Sequence, residues 1–303
     1  MAAAPFALAL ERLQQVILGK ERPLRLALCC LLARGHLLIE DIPGVGKTTM
    51  ASALAKVLGL RLRRIQFTSD LLPADIVGNS IFDRESNRFV FHEGPIFSEV
   101  VLADEVNRAS PKTQSALLEA MEERQVTVDG NTHSLPEPFF VIATQNPTQQ
   151  IGTFPLPESQ LDRFLMRVQM GFPDRQAELA MLEGGDRRAL VAALTPVIDA
   201  AGLTLLQRQL DTLTVRPALR EYVLDLVARS RVARGAAGLS PRAAIGLQQA
   251  ARAWAYLAGR DHVVPDDVQE VAPSVMAHRL RGVERGADGL ALAEALVRET
   301  PIP

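Results

Sequence analysis

The chain has 303 residues, 48% of them hydrophobic, 22% charged and 5% aromatic, with a formal net charge of -2. That apolar content and weak charge exclude a disordered chain, and the length suits about two ordinary domains. The charge balance also argues against a protein that grips DNA through a strong basic field. The longest apolar run, residues 26–33, is too short to cross a bilayer.

No opening segment combines a basic region, an apolar stretch and a cleavage site, so a soluble, cytoplasmic protein without direct membrane insertion is expected. The excess of Arg and Ala is that of a GC-rich bacterial gene. Lysine occurs only at Lys20, Lys47, Lys56 and Lys112, so a lysine inside a motif stands out. Cys29 and Cys30 are adjacent in an apolar helical stretch and read as small hydrophobes. His92-Glu93 begins like a zinc-protease motif, but Ile96 stands where the second histidine belongs, so no structural zinc is expected.

In chain order, short apolar runs at 36–40, 64–68, 100–103, 139–143 and 165–170 alternate with helical patterns. Runs that are apolar throughout predict strands covered on both faces, hence a five-stranded parallel α/β sheet. A helix is expected from Lys47 to Leu58, stopped by Gly59. Another begins at Ser110-Pro111, an N-cap followed by proline, and runs to about Glu123. Two polar insertions read as hairpins. One covers 79–91, with its tip at 83–87; the other covers 125–135 and turns at Asp129-Gly130-Asn131. From Phe172 onward the strands stop. Helical spacing appears at Leu219, Val223, Leu226 and Val227, and again at Leu247, Ala250, Trp254 and Leu257. Gly184-Gly185 and the stretch from Gly235 to Gly238 mark loops. The change at 171–173 divides an α/β domain, 1–171, from an all-helical one, 172–303.

Pro43-Gly44-Val45-Gly46-Lys47-Thr48, followed by Thr49, comes directly after an apolar strand and opens a helix. That is the setting of a phosphate-binding loop. Its glycines let backbone N–H groups turn onto phosphates, and the helix N-terminus favours negative charge. Lys47 would reach the β- and γ-phosphates of a nucleotide, and Thr48 would ligate Mg²⁺. The strict pattern asks for glycine at position 41, where this chain has Asp41. The strand at 100–103 ends in Asp104-Glu105, which delivers two carboxylates to the sheet edge where nucleotides bind. Asp104 would hold the Mg²⁺ shell through water, and Glu105 would activate the attacking water. Asn146, after the strand at 139–143, is either a contact to the γ-phosphate or lytic water, or a turn residue.

The runs Pro43 to Thr48, Leu102-Ala103-Asp104-Glu105-Val106-Asn107-Arg108-Ala109, Pro111 to Glu123, Ala143-Thr144-Gln145-Asn146-Pro147 and Leu156 to Phe164 closely resemble the MoxR family of AAA+ ATPases. The likeness runs from Val16-Ile17-Leu18-Gly19 to Val264-Pro265-Asp266-Asp267. It implies a P-loop AAA+ αβα sandwich followed by a helical lid. Asp41 looks like a variant that the family tolerates. By resemblance Asn146 matches the first sensor, Arg163 the finger that enters a neighbour's site, and Arg242 the second sensor on the lid. A trans-acting Arg163 implies a homo-oligomeric ring, usually a hexamer. Ile17, Leu18 and Gly19 match the segment that packs on adenine, although core packing accounts equally well for the two apolar residues. The hairpins match the family's helix-2 insert and pre-sensor hairpin.

The resemblance implies chaperone-like remodelling of a partner complex, often one with a von Willebrand A domain. A DNA motor and a nucleotide-controlled scaffold are the other uses of such a frame. The hairpin tip at 129–133 has no Lys, Arg or aromatic residue with which to hold phosphates or bases, so nucleic acid is not an expected partner. The presence of Glu105, Asn146 and Arg163 together argues against a scaffold with little turnover.

Overall fold

The computed structural model describes residues 4–146, 152–184, 186–233, 238–280 and 288–302. Pro147, Gly185 and Gly235, singled out above, lie outside the described residues. Strands β1 (Leu37–Glu40), β2 (Leu62–Gln66), β5 (Val100–Asp104), β8 (Phe140–Gln145) and β9 (Met166–Val168) form one parallel sheet. Its order is β2-β5-β8-β1-β9. Between them, β3 (Gly78–Asp83) pairs with β4 (Arg88–Glu93), and β6 (Gln125–Val128) pairs with β7 (Asn131–Ser134), each as an antiparallel hairpin.

The central strands explain why apolar runs were so legible. Every residue of β1, β5 and β8 is buried. Alternate side chains enter two separate cores: Leu37, Ile39, Val100 and Leu102 on one face, Leu38, Val101 and Ala103 on the other. The first core also takes the helices Ala4–Val16, Glu21–Leu32 and Lys47–Val57, and the second takes Pro111–Glu123. Each fully buried Leu or Ile contributes about 1.5–3 kcal/mol, so the sheet is fastened from both sides.

Edge strands depart from their expected bounds. In β2, expected at 64–68, pairing with β5 instead starts at Leu62↔Val100 and ends at Gln66↔Asp104. Only Ile65 in this strand is buried, so hydropathy gave little register there. At the other edge β9, expected at 165–170, is only Met166–Val168, because a side chain described below captures the following N–H groups.

The two insertions fold as the turn chemistry predicts. Asp129 and Gly130 both have left-handed φ, 50° and 79°, as a two-residue type I′ turn requires. The Phe91 ring of the first hairpin stacks on His133 of the second, with centroids 3.9 Å apart, so the two project together.

After β9 the described chain is helical apart from an isolated bridge between Thr214 and His262. Leu219, Val223, Leu226 and Val227 are buried in helix Pro217–Val232, and Leu247, Ala250 and Trp254 in helix Pro241–Leu257. Arg279 fastens this part to the sheet. Its guanidinium, 5% exposed, donates to Asp162 Oδ1 (2.6 Å) and to the carbonyls of Asp162 (3.0 Å), Phe164 (2.7 Å) and Leu165 (3.1 Å). Ser240 Oγ, at the start of helix Pro241–Leu257, donates to the same Asp162 carboxylate at 3.1 Å.

Candidate functional site

β1 enters a loop, residues 41–46, that climbs off the sheet edge into helix Lys47–Val57. Gly44 and Gly46 have φ of 87° and 94°, and Gly46 is the N-cap. No atom lies within 4 Å of where a Cβ on Gly44 would stand. Glycine is needed there for its left-handed backbone, which also leaves the N–H groups open to an approaching anion. Lys47 Nζ donates to the carbonyls of Asp41 (2.6 Å) and Ile42 (2.8 Å). Burial pushes the Lys47 ammonium below its ordinary pKa, opposed by the carboxylates of Asp41, Asp104 and Glu105.

At the end of β5 the backbone turns sharply: Glu105 has φ 56° and ψ 48°. A non-glycine residue in this region costs of order 1 kcal/mol or more and persists only when its surroundings fix it. The surroundings do so. Thr144 Oγ1 on β8 accepts the Glu105 N–H at 2.9 Å and donates to Asp104 Oδ1 at 2.6 Å. Arg64 on β2 donates to Asp104 Oδ2 at 2.6 and 3.1 Å. The Glu105 carboxylate accepts from Arg108 Nη1 at 3.0 Å and Gln66 Nε2 at 3.2 Å. Asn146 follows β8, and its carbonyl accepts from Asn107 Nδ2 at 3.4 Å.

These ends converge on one cavity of ≈ 320 Å³, lined by Pro43, Gly44, Gly46, Lys47, Thr48, Thr49, Asp104, Glu105, Thr144, Gln145 and Asn146. A glycine-bearing loop at a helix N-terminus, one ammonium, hydroxyls at the helix start and two carboxylates suit a magnesium-bound triphosphate. Both Asp104 oxygens already accept a hydrogen bond, which fits a metal held through water better than one bound directly. A larger cavity of ≈ 410 Å³ lies between β9 and the C-terminal helices. Its arginines, Arg22 and Arg167, pair with Glu270 and Glu40, and it shares no lining residue with the first.

Other sequence-predicted residues lie outside this cavity. Ile17 is buried in the first core, Leu18 is half-buried and Gly19 is exposed. A Cβ on Gly19 would stand 3.1 Å from Ala177 Cβ, so this segment rests on residues 174–177 just beyond the sheet. Met170 Cε is 3.9 Å from where a Cβ on Gly46 would be, which puts residues 170–177 between that segment and the loop. Arg163 Nη1 donates to Leu118 O at 2.5 Å, and its Nε is 4.0 Å from Glu122. Arg242, on the first turn of the helix capped by Ser240, pairs with the same Glu122. The two arginines share one carboxylate on helix Pro111–Glu123, and neither lines the chain's own cavity. Sequence reasoning missed Arg64, Gln66, Arg108 and Thr144. Strand order places Arg64, Gln66 and Thr144 against Asp104 and Glu105, whereas Arg108 reaches Glu105 from three residues further along the chain.

With fold and site in hand, the comparisons with known proteins define the class. The ATPase family associated with various cellular activities (AAA) matches residues 36–166, and the AAA lid domain matches residues 230–300. The chain belongs to the MoxR family of AAA+ ATPases. It is 48% identical to the uncharacterized protein YeaC of Bacillus subtilis, over 96% of this chain and 91% of that one. It is 39% identical to the chaperone MoxR1 of Mycobacterium tuberculosis, over 90% and 74% respectively. A crystal structure of a Cytophaga hutchinsonii protein, 33% identical, superposes with a TM-score of 0.88 over 100% of this chain and 96% of that one. The fold is thus the αβα AAA+ sandwich with a five-stranded parallel sheet, followed by a helical lid.

Proposed function

We propose that this protein hydrolyses ATP to ADP and phosphate, and that the cycle drives chaperone-like remodelling or activation of a partner protein. The observation that carries this reading is the meeting of Lys47, Thr48, Asp104, Glu105 and Asn146 in one cavity at the sheet's C-terminal edge. Lys47 leaves the carbonyls of Asp41 and Ile42 to hold the β- and γ-phosphates. Thr48 and Asp104 would hold magnesium, which would offset phosphate charge when bound. Glu105 orients and deprotonates the attacking water. Asn146 bonds that water or the γ-phosphate. Ile17, Leu18 and Gly19, beside residues 174–177, take the adenine side.

Arg163, which does not line this cavity, acts on the neighbouring protomer's nucleotide in a homo-oligomeric ring, a hexamer in the family's usual form, and Arg242 serves as the second sensor on the helical lid. An arginine supplied in trans is worth about 10³–10⁵ in rate in related nucleoside triphosphatases. The working division is an ATP-binding domain at 1–171 and a lid at 172–303, in a cytoplasmic protein whose partner carries a von Willebrand A domain. One relative's name, chaperone MoxR1, supports the remodelling role. Among the described residues no helix is long and apolar enough to cross a membrane.

The test is phosphate release with Glu105→Gln. This variant should bind magnesium-ATP in calorimetry as the native chain does while turnover falls at least about 100-fold, the scale of losing a general base. Equal turnover by the two proteins refutes the assignment.

A further inference from the structure

Asp41 stands where the strict phosphate-loop pattern has glycine, and its side chain is engaged with what leaves the sheet. It is 8% exposed. Oδ1 accepts the N–H of Ile42 at 2.8 Å, and Oδ2 accepts the N–H groups of both Met170 and Gly171 at 2.6 Å. The register of β1 with β9 runs Leu37↔Met166, Leu38↔Arg167, Ile39↔Val168 and then ends. The carboxylate therefore takes over from the strand as acceptor for the last two N–H groups before the chain enters the helical part. A glycine at 41 would leave the buried Met170 N–H without this partner.

The same residue is tied to the loop's lysine. Lys47 Nζ donates to the Asp41 and Ile42 carbonyls, and an ammonium with three donors that takes up the β- and γ-phosphates gives up at least one of these bonds, and both in the swing proposed above. The backbone thus released carries the carboxylate that holds residues 170–171. Just beyond, Phe172 O accepts from Lys20 Nζ at 2.6 Å, so the exit segment is held on one side by Asp41 and on the other by the 17–20 segment.

Resting on the ATPase reading, we propose that Asp41 is a positioning residue that transmits occupancy of the phosphate loop to residues 170–171, and so sets the angle of the helical lid. On this account the departure from the glycine pattern is the coupling element. Substitution should spare nucleotide affinity and impair the steps that need lid movement.

The experiment uses Asp41→Gly and Asp41→Asn in the full chain, with spin labels at Glu119→Cys and Asp225→Cys. Both sites are exposed, and the native Cys29 and Cys30 are buried, so labelling is selective. In the native background, magnesium-ATP is expected to shift the interlabel distance. In Asp41→Gly the ATP Kd should stay within about threefold, kcat should fall at least tenfold, and the shift should vanish. Asp41→Asn, which keeps one acceptor oxygen, should lie between, and it carries the test if the glycine variant does not fold. A native-like distance shift and kcat in the variants overturns the proposal and leaves the ATPase reading standing, as does a native protein that binds ATP with no shift. A native protein that binds no magnesium-ATP overturns the ATPase reading itself.

Discussion

Thr144 illustrates how much of this site rests on single side chains that were not among the residues expected to do its chemistry. Its hydroxyl joins the Asp104 carboxylate to the Glu105 N–H, holding in place the left-handed residue proposed to aim the attacking water. Thr144→Val preserves shape and removes both bonds. Hydrogen bonds to charged groups are worth about 1.5–3 kcal/mol, so kcat is expected to fall about tenfold or more, with a smaller change in ATP Kd, in steady-state assays. His36 works in the same hidden way. Its Nδ1 accepts the Val141 N–H at 3.0 Å and its Nε2 meets Met121 O at 3.3 Å, so the buried ring is neutral. Burial pulls its pKa down to about 3 from the ordinary 6.5. Between those values the unfolded chain binds the extra proton, so stability rises with pH there and is lost on acidification. The slope is on the order of 1.4 kcal/mol per pH unit from this group. Urea midpoints at pH 7.5 and 5 should therefore diverge less in His36→Asn, and an unchanged difference would count against this account. Lys47, Asp104 and Asn146 were legible because motif and strand end are local in sequence. Arg64, Gln66, Arg108 and Thr144 were not, since three of the four lie on neighbouring strands or across the sheet and carry no periodic signal.

Element by element, legibility followed burial. Helix Pro111–Glu123 begins where Ser110 caps it, with Ser110 Oγ accepting the Thr113 N–H, as its sequence signature requires. The edge strands were misplaced: the mostly exposed β2 lies two residues earlier at both ends, because pairing alone sets its register, and β9 stops two residues early because of the Asp41 carboxylate. The first hairpin depends on a close contact that sequence does not reveal. At its base, a Cβ on Gly94 would stand 2.3 Å from Ile76 O and 2.4 Å from Gly78 N, both backbone atoms. Gly94→Ala must push the end of β4 away from helix Pro73–Val77 and from the start of β3. A destabilisation of about 1–3 kcal/mol is expected, with faster limited proteolysis at the 84–87 tip. Cleavage at the native rate would show that the strands can slide without cost.

For the whole molecule, alternation of strands and helices announced a parallel sheet but not the order β2-β5-β8-β1-β9, since hydropathy is blind to which buried strands are neighbours. Nor did it show that Arg163 and Arg242 would share Glu122 away from their own cavity. Complementation follows from that placement. Arg163→Ala and Lys47→Ala should each be nearly inactive alone, the first lacking its gift to the neighbour and the second unable to hold nucleotide. Mixed, an Arg163→Ala subunit can receive arginine from a Lys47→Ala one, so some phosphate release should return. A mixture as silent as its parts would contradict a shared site.

Asp162 and Arg163 are consecutive, yet the first grips Arg279 and Ser240 of the chain's own lid while the second leans on helix Pro111–Glu123. A tilt imposed on the lid would thus reach Arg163 through a single peptide unit. Were that arginine to serve a neighbour as proposed, the coupling would run both ways, so nucleotide held next door would bear on this lid as much as this lid bears on it.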